Sequence, residues 1–293
     1  MERPRPHEES ARRIGPYRLI TRLDPPQGHT PCRRFVARSA DGGRTVLLNA
    51  PLPGADPARF LAEAQAGQRL LGPWIAPVTE VSDTPASAWY ATPYLPALPL
   101  PVALAVHGGP LPEETVRAVG TALAETLAAA HAQGVTHAGV SPSAVLLAAD
   151  GPRLGCFGAV RAAAPEGEPR AGLPGLEPGT LAPEQTAGGR PRPAGDVYAL
   201  GAVLAYAATG HTVPERSELP SALRPFVSAC LTRDAAARPT AAALLADLAP
   251  PTPHETVLGS AASLLSPGWL PGRLVAALAR QSSEILAAEL PGN

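Results

Sequence analysis

The first third of the chain consists of short runs in which apolar and polar positions alternate or apolar positions follow one another. Such runs are typical of strands, and they occupy residues 17–23, 33–40, 44–50, 75–82 and 87–95. An Asp-Gly-Gly sequence at 41–43 lies between two of them and predicts a hairpin. Residues 57–71 instead carry apolar side chains at helical spacing behind Pro57, which suits a first helical turn.

The remainder of the chain has helical periodicity. Residues 111–134 predict a long helix, with acidic side chains in its first turn and Gly134 at its end. A small hairpin is predicted for residues 144–155, turning at Asp150 and Gly151. Further helices are predicted at about 194–209, 219–231 and 240–248. Strands followed by helices predict an α+β protein with two lobes.

The two ends of the chain differ from the middle. Residues 1–13 are polar and rich in proline, and we predict that they are disordered. Residues 250–293 begin as a Pro-rich linker and continue as an amphipathic helix, with Leu274, Leu278 and Ile285 on one face and Leu286 beside them. This helix either packs back onto the domain or binds a partner.

Composition excludes several classes of function. The formal net charge of -1 gives no reason to expect nucleic acid or an anionic membrane as a partner. Cys32, Cys156 and Cys230 are far apart, which excludes a CxxC metal site and fits a reducing compartment. No apolar run of 18 residues occurs, so we expect a cytoplasmic protein without a membrane span. All 24 basic residues are arginine, which excludes any mechanism that needs a lysine ammonium group.

Four stretches, in this order, carry a resemblance to a known family. They are VTHAGVSPSAVLL at 135–147, GCFGAVRA at 155–162, LAPEQTAGG at 181–189, and GDVYALGAVLAYAATG at 195–210 with ARPT at 237–240. In order and spacing they resemble the catalytic-loop, D-F-G, A-P-E and following helix motifs of bacterial Ser/Thr protein kinases. The resemblance covers about residues 15–249. It implies a small β-rich N-lobe at 14–92 and a larger helical C-lobe at 93–249.

The resemblance also implies that the catalytic positions are degenerate. The Asp of H-R-D corresponds to Gly139, the lysine two residues later to Ser141, and the metal-binding asparagine to Ala144. The Asp of D-F-G corresponds to Cys156, and the strand lysine to Asn49. Phosphoryl transfer depends on charged groups, and Mg²⁺ prefers oxygen ligands. We therefore expect no metal site, no cofactor, and no charged group in the cleft that could bind a triphosphate.

Nucleotide binding without a metal stays open. The phosphate-covering loop after the first strand retains only Gly28 and has gained prolines, which lack an N–H donor. Leu47 replaces the small residue that roofs the adenine in the family, and a larger side chain narrows that site. The segment at 92–95 resembles the hinge between the lobes, and it still offers the two backbone groups that bind adenine in the family, the C=O of Pro93 and the N–H of Leu95. The candidate contacts to a base are Leu23, Leu47, Thr92, Pro93, Leu95 and Leu146.

Other positions match the family's structural scaffold. Glu184 and Arg238 correspond to a buried ion pair, and Asp196 to the residue that holds the catalytic loop. His137 belongs to the same scaffold. Glu63 corresponds to the helix glutamate whose lysine partner is missing, so it is either solvated or paired with an arginine.

Substrate docking departs from the family pattern. Glu177 and Thr180 stand at the Thr and Tyr positions before A-P-E. The segment at 211–220 is also shorter than in the family. Both departures put a peptide-docking platform in doubt.

Three hypotheses about function follow. The first is a pseudokinase, a catalytically inactive module that regulates or scaffolds a protein partner such as an active kinase, through the cleft, residues 211–220 or the C-terminal helix. The alternative is a Ser/Thr protein kinase that binds ATP and has residual or unusual phosphotransferase activity. The third is a small-molecule sensor that uses the cleft. The Cys156 thiol there either packs as a small apolar group or is reactive.

Overall fold

The structure is a computed structural model that describes residues 13–25, 29–248, 260–265 and 267–288. The predicted disordered segment therefore lies outside the described residues, except for Arg13, which begins the first strand. Gly28 and most of the predicted Pro-rich linker also lie outside them.

The N-terminal part forms an antiparallel sheet with the strand order β1-β2-β3-β4-β6-β5. Its strands are β1 (Arg13–Ile14), β2 (Tyr17–Arg22), β3 (Arg33–Ser39), β4 (Thr45–Ala50), β5 (Glu80–Val81) and β6 (Tyr90–Pro93). The predicted hairpin joins β3 to β4, and Gly42 adopts a positive φ of 73° in the turn, a conformation that glycine accepts without steric cost. Helix α1 (Pro57–Gly67) follows, and the Asp56 carboxylate caps it by accepting from the N–H groups of Ala58 and Arg59.

The Pro-rich passage at 93–112 is where the sequence interpretation was incomplete. It contains strand β7 (Ala97–Pro99) and helix α2 (Leu100–His107). Pro101 does not prevent the helix because it lies in the first turn, where the missing N–H would have no helical acceptor. Gly108, with a φ of 90°, ends the helix in the left-handed conformation.

The C-terminal part is mainly helical, with a three-stranded sheet of order β7-β8-β9 at its edge. The remaining elements are β8 (Val145–Ala148), β9 (Gly151–Leu154), α3 (Glu113–Ala132), α4 (Ala159–Ala163), α5 (Pro183–Thr186), α6 (Pro193–Thr209), α7 (Arg224–Cys230), α8 (Ala241–Leu248), α9 (Ser260–Leu264) and α10 (Gly272–Ala287). Helices α3 and α6 form the core, where an added Cβ on Gly120 would lie 2.9 Å from the Leu204 side chain. Helix α7 begins at Arg224, later than predicted, and Pro225 lies in its first turn, where a missing N–H is tolerated.

The C-terminal helix α10 packs back onto the domain. Leu274, Leu278 and Ile285 are buried, whereas Leu286 is 62% exposed and does not join the packed face. The Gln281 side-chain amide makes two hydrogen bonds to the backbone of Ala97. Its Oε1 accepts from the Ala97 N–H at 2.9 Å, and its Nε2 donates to the Ala97 C=O at 3.2 Å. Of the two roles left open by the sequence, the described helix performs the packing role. None of the described helices combines the length and the apolar character needed to cross a membrane.

Candidate functional site

The cleft between the lobes gathers many of the predicted site residues. Its walls come from β3, β4 and β6 on one side and from β8 and the segment after β9 on the other. The predicted residues that line it are Leu47, Asn49, Thr92, His137, Leu146 and Cys156. Three predicted base contacts, Leu23, Pro93 and Leu95, are not part of this lining.

The expected adenine pocket is closed. Leu47, the predicted roof, and Leu146, the predicted floor, pack in one apolar cluster that Leu23 also contacts. The cavity in the cleft has a volume of about 20 Å³, roughly the space of one water molecule. A nucleotide base therefore enters only if the two lobes or these side chains separate.

Asn49 lies at the strand position that carries lysine in the family, and it is buried. Its Nδ2 donates to the Leu47 carbonyl at 3.2 Å, and its Oδ1 accepts from the Cys32 thiol at 3.5 Å. On the flanking strands it is paired in register with Arg34 and with Tyr90. The asparagine is thus satisfied locally and contributes no charge.

The expectation that no charged group in the cleft could bind a triphosphate stays a prediction, but the cleft lining does contain one charged side chain, that of Arg34. Arg34, the cross-strand neighbour of Asn49, places a guanidinium in the cleft lining, and its side chain is 1% exposed. Its Nε donates to Asp24 Oδ2 at 2.8 Å, and its Nη2 also contacts the Asp24 carboxylate, which is equally buried. Burial lowers the pKa of Arg34, but the hydrogen bonds and charge of Asp24 outweigh it and raise that pKa. Sequence reasoning missed this pair because it examined only the positions that the motifs name.

The catalytic loop has no room for a side chain at Gly139. A Cβ built on Gly139 would lie 1.8 Å from the carbonyl oxygen of Cys156. The backbone is unusual on both sides, since Ala138 and Cys156 have positive φ values of 52° and 60°. Such values are uncommon for residues other than glycine. The backbone at this position therefore leaves no space for the aspartate side chain of the motif.

The polar groups next in the loop serve the loop itself. Ser141 Oγ lies 3.2 Å from Ser143 Oγ and accepts from the Ala144 N–H at 3.3 Å, which caps the 3₁₀ turn at Pro142–Ala144. Ala144 is fully buried. Neither Ala144 nor Cys156 offers an oxygen ligand, and the described residues contain no cluster of three His, Cys, Asp or Glu side chains suited to a metal. The residues present do not fit the Mg²⁺ ion that the family resemblance would imply.

Glu177 is a carboxylate beside the catalytic loop. Its Oε2 accepts from the Ser143 N–H at 3.4 Å. Burial raises the pKa of Glu177 to about 7, although the hydrogen bonds from Ser143 oppose this shift. The sequence interpretation used Glu177 only as evidence against peptide docking. An acidic residue in the segment that faces the loop was the available signal for a site residue.

The scaffold positions make the contacts that the resemblance implies. Arg238 donates to both carboxylate oxygens of Glu184, at 2.7 and 2.9 Å. Asp196 accepts from the N–H groups of His137 and Ala138, each at 2.7 Å. Glu63, for which two states were open, is paired with Arg161 at 2.8 Å. The Asp196 carboxylate thereby fixes the backbone of the catalytic loop.

His137 is held by its backbone, while its ring is enclosed. Both ring nitrogens are buried without a hydrogen-bond partner among the described residues, and the ring packs edge-on against Phe157 at 5.5 Å. Burial lowers the pKa of His137 to about 4. The imidazole is therefore neutral at physiological pH and has a structural role.

Comparisons with known proteins define the family. No protein-family model matches the chain. A probable serine/threonine-protein kinase of Thermomonospora curvata, PkwA, is 38% identical over 85% of the chain. The serine/threonine-protein kinase AfsK of Streptomyces coelicolor is 32% identical over 92% of the chain. The chain spans only 37% and 35% of these two relatives.

Solved structures agree on the fold. The kinase domain of Mycobacterium tuberculosis PknI superposes with a TM-score of 0.62, covering 80% of this chain and 96% of that domain, at 22% identity. The antiparallel N-lobe and helical C-lobe predicted from the sequence are thereby confirmed.

The comparison with relatives corrects the leading hypothesis about function. The relatives that match most of the chain are named as Ser/Thr protein kinases, which contradicts a catalytically inactive regulatory or scaffold module and accords better with the kinase alternative. By fold and by relatives, the chain belongs to the bacterial Ser/Thr protein kinase family with the eukaryotic-like kinase fold.

Proposed function

We propose that this chain is a Ser/Thr protein kinase with unusual machinery, which binds ATP in the interlobe cleft without a metal ion and transfers its terminal phosphoryl group to a protein hydroxyl. The observation that carries the proposal is the Arg34 guanidinium, which lines the cleft beside Asn49. The names and coverage of the relatives support the reaction class.

Arg34 suits the phosphate-binding role chemically. A guanidinium presents its N–H donors in a planar fork that matches phosphate oxygens as well as carboxylate oxygens. In the structure Asp24 holds that fork. ATP binding therefore requires that a phosphate group replace the Asp24 carboxylate and that the cavity of about 20 Å³ widen. The hinge contacts at Pro93 and Leu95 stay a prediction for the adenine.

Glu177 is the proton acceptor in this proposal. Its pKa of about 7 leaves a large fraction ionised at neutral pH, which suits a general base. The substrate hydroxyl oxygen bonds to the γ-phosphorus, the bond from that phosphorus to the β–γ bridging oxygen breaks, and the hydroxyl proton passes to Glu177. ADP leaves. We expect slow transfer, since one guanidinium offsets only part of the triphosphate charge.

The predicted protein partner is, in this proposal, a substrate that offers a Ser or Thr hydroxyl. The test incubates the full chain with γ-labelled ATP and a degenerate Ser/Thr peptide library, in EDTA and separately in Mg²⁺ or Mn²⁺. We expect transfer in EDTA, abolished by Arg34→Met and slowed about 10²-fold or more by Glu177→Gln.

Arg33→Met is the matched control for Arg34→Met. Arg33 precedes Arg34 on β3 and donates instead to the Pro51 carbonyl at 3.0 Å, so this variant should retain activity. Absence of transfer by the wild-type chain, or transfer that Arg34→Met leaves intact, would overturn the proposal.

A further inference from the structure

Two of the three cysteines meet in the cleft. Cys32 lies immediately before β3 in the N-lobe, and Cys156 lies two residues beyond β9 in the C-lobe. The two residues line the same small cavity, and they are only 2% and 6% exposed. The thiols therefore join parts of the chain that are distant in sequence.

The surroundings hold both thiols in place. The Asn49 Oδ1 atom accepts from the Cys32 thiol at 3.5 Å. Cys156 has a φ of 60°, and a non-glycine residue persists in that conformation only where its neighbours impose it. Here Ala159 N donates to the Cys156 carbonyl at 3.2 Å. The Cys32 side chain and the Cys156 backbone are thus each held by a hydrogen bond.

The two thiols differ in acidity. The neighbouring Cys32 thiol and the positive charge of Arg34 lower the pKa of Cys156, although burial opposes this shift. Cys32 shows the opposite direction, because the neighbouring Cys156 thiol and its own burial raise its pKa. Of the two thiols, Cys156 is thus the better suited to act as the nucleophile, with Cys32 as the resolving thiol.

We propose that Cys32 and Cys156 are an oxidation site, at which a hydroperoxide converts the two thiols into a disulfide that links the lobes across the cleft. The Cys156 thiol first loses its proton, its thiolate attacks an oxygen of hydrogen peroxide, the O–O bond breaks, and a sulfenic acid and hydroxide form. The hydroxide takes up the proton that the thiol released and becomes one water. The Cys32 thiol then attacks the sulfenic sulfur and releases a second water. Two thiols lose two electrons in total, and hydrogen peroxide is reduced to two waters.

A small cavity gives access to the pair. It has a volume of about 20 Å³ and is lined by both cysteines together with Pro31, Glu63 and Phe157. That space is close to the size of a single water molecule. A space of this size disfavours bulky organic oxidants, and hydrogen peroxide, the smallest hydroperoxide, requires the least widening of it.

Cys230 provides an internal control. It is fully buried, and burial raises its pKa to about 12. It lies in α7, and among the described residues no second cysteine accompanies it there. Its thiol should therefore oxidise at least tenfold more slowly than the pair.

The test treats the full chain with hydrogen peroxide and follows intact mass and cross-linked peptides without reduction. We expect a loss of about 2 Da, a peptide joining Cys32 to Cys156, a free Cys230, and reversal by dithiothreitol. The Cys32→Ser variant should show no such loss of mass, and its Cys156 should remain a sulfenic acid that dimedone traps.

Thiol titration in denaturant should count three free thiols in the untreated wild-type chain and only that of Cys230 after peroxide treatment. Oxidation that spares both cleft cysteines, reaches Cys230 equally fast, or gives only intermolecular disulfides would overturn the proposal. These readouts do not involve phosphoryl transfer, so they are independent of the proposed function.

Discussion

Two ion pairs with buried guanidiniums, one in each lobe, show how differently the two parts of the molecule relate to the family pattern. Arg238 and Glu184 lie below the catalytic loop at positions that the motifs name. Arg34, which lines the cleft, and its partner Asp24 stand at positions that no motif names. Both guanidiniums are enclosed, but the Glu184 side chain is 37% exposed, whereas that of Asp24 is 1% exposed. The C-lobe pair therefore occupies the positions that the family motifs predict, whereas the N-lobe pair occupies positions outside those motifs.

The largest effect is expected from breaking the cleft pair. Asp24→Asn leaves the buried Arg34 without a counter-charge and should lower the free energy of unfolding by about 3–5 kcal/mol. Glu184→Gln should cost less, because its carboxylate is partly solvated. Urea unfolding at pH 7 measures both.

The double variant Asp24→Leu with Arg34→Met is the control, since replacing a buried pair by apolar side chains is often neutral. It should recover most of the lost stability. Equal losses for Asp24→Asn and Glu184→Gln would contradict the comparison between the two pairs.

Much of the fold follows from local sequence patterns. The hairpin at residues 41–43 and the long helices α3 and α6 have strong periodicity and clear turn residues, and these elements appear near their predicted bounds. Helix α2 was missed, because prolines in a first turn resemble the prolines of a linker.

The cleft was harder to predict, because its contacts join residues that are distant in sequence. An arginine within a strand such as Arg34 is usually exposed, and only the pairing of β3 with β4 places it beside Asn49. The contact between Cys32 and Cys156 likewise depends on how the lobes meet. The motifs located the degenerate positions correctly along the chain, but they could not show that the Cys156 backbone occupies the space above Gly139.

The second prediction concerns pH and the scaffold. The pKa of His137 is lowered to about 4 by burial, so the unfolded chain binds the proton more readily between about pH 6.5 and pH 4. The contribution of the neutral His137 to the free energy of unfolding is fully present above pH 6.5. It is lost as the pH falls through that window, by roughly 2 kcal/mol from pH 7 to pH 5.

His137→Phe should remove that part of the pH dependence, because both ring nitrogens lack partners among the described residues. Urea unfolding at pH 7 and pH 5 measures the slope for both proteins. If the free energy of unfolding fell equally between pH 7 and pH 5 in the variant and in the wild-type chain, His137 would not be the source of the acid sensitivity.

The smallest effect is expected at the C-terminal helix. Gln281→Ala removes two hydrogen bonds to the Ala97 backbone and should lower stability by about 1 kcal/mol, with faster hydrogen exchange of the Ala97 amide. Ser283→Ala is the matched control, since the exposed Ser283 hydroxyl bonds only to Ala279 within the same helix. Equal exchange rates in the two variants would show that Gln281 does not hold β7.

The most direct test of the central claim, that Arg34 is the phosphate-binding cation of the cleft, is calorimetric titration with ATP and with adenosine in EDTA. Charge-assisted hydrogen bonds contribute about 1.5–3 kcal/mol, so the wild-type chain and Arg33→Met should bind ATP roughly tenfold or more tightly than adenosine. Arg34→Met should lose that preference. Absence of ATP binding at millimolar concentration, or the same preference in Arg34→Met, would contradict the account.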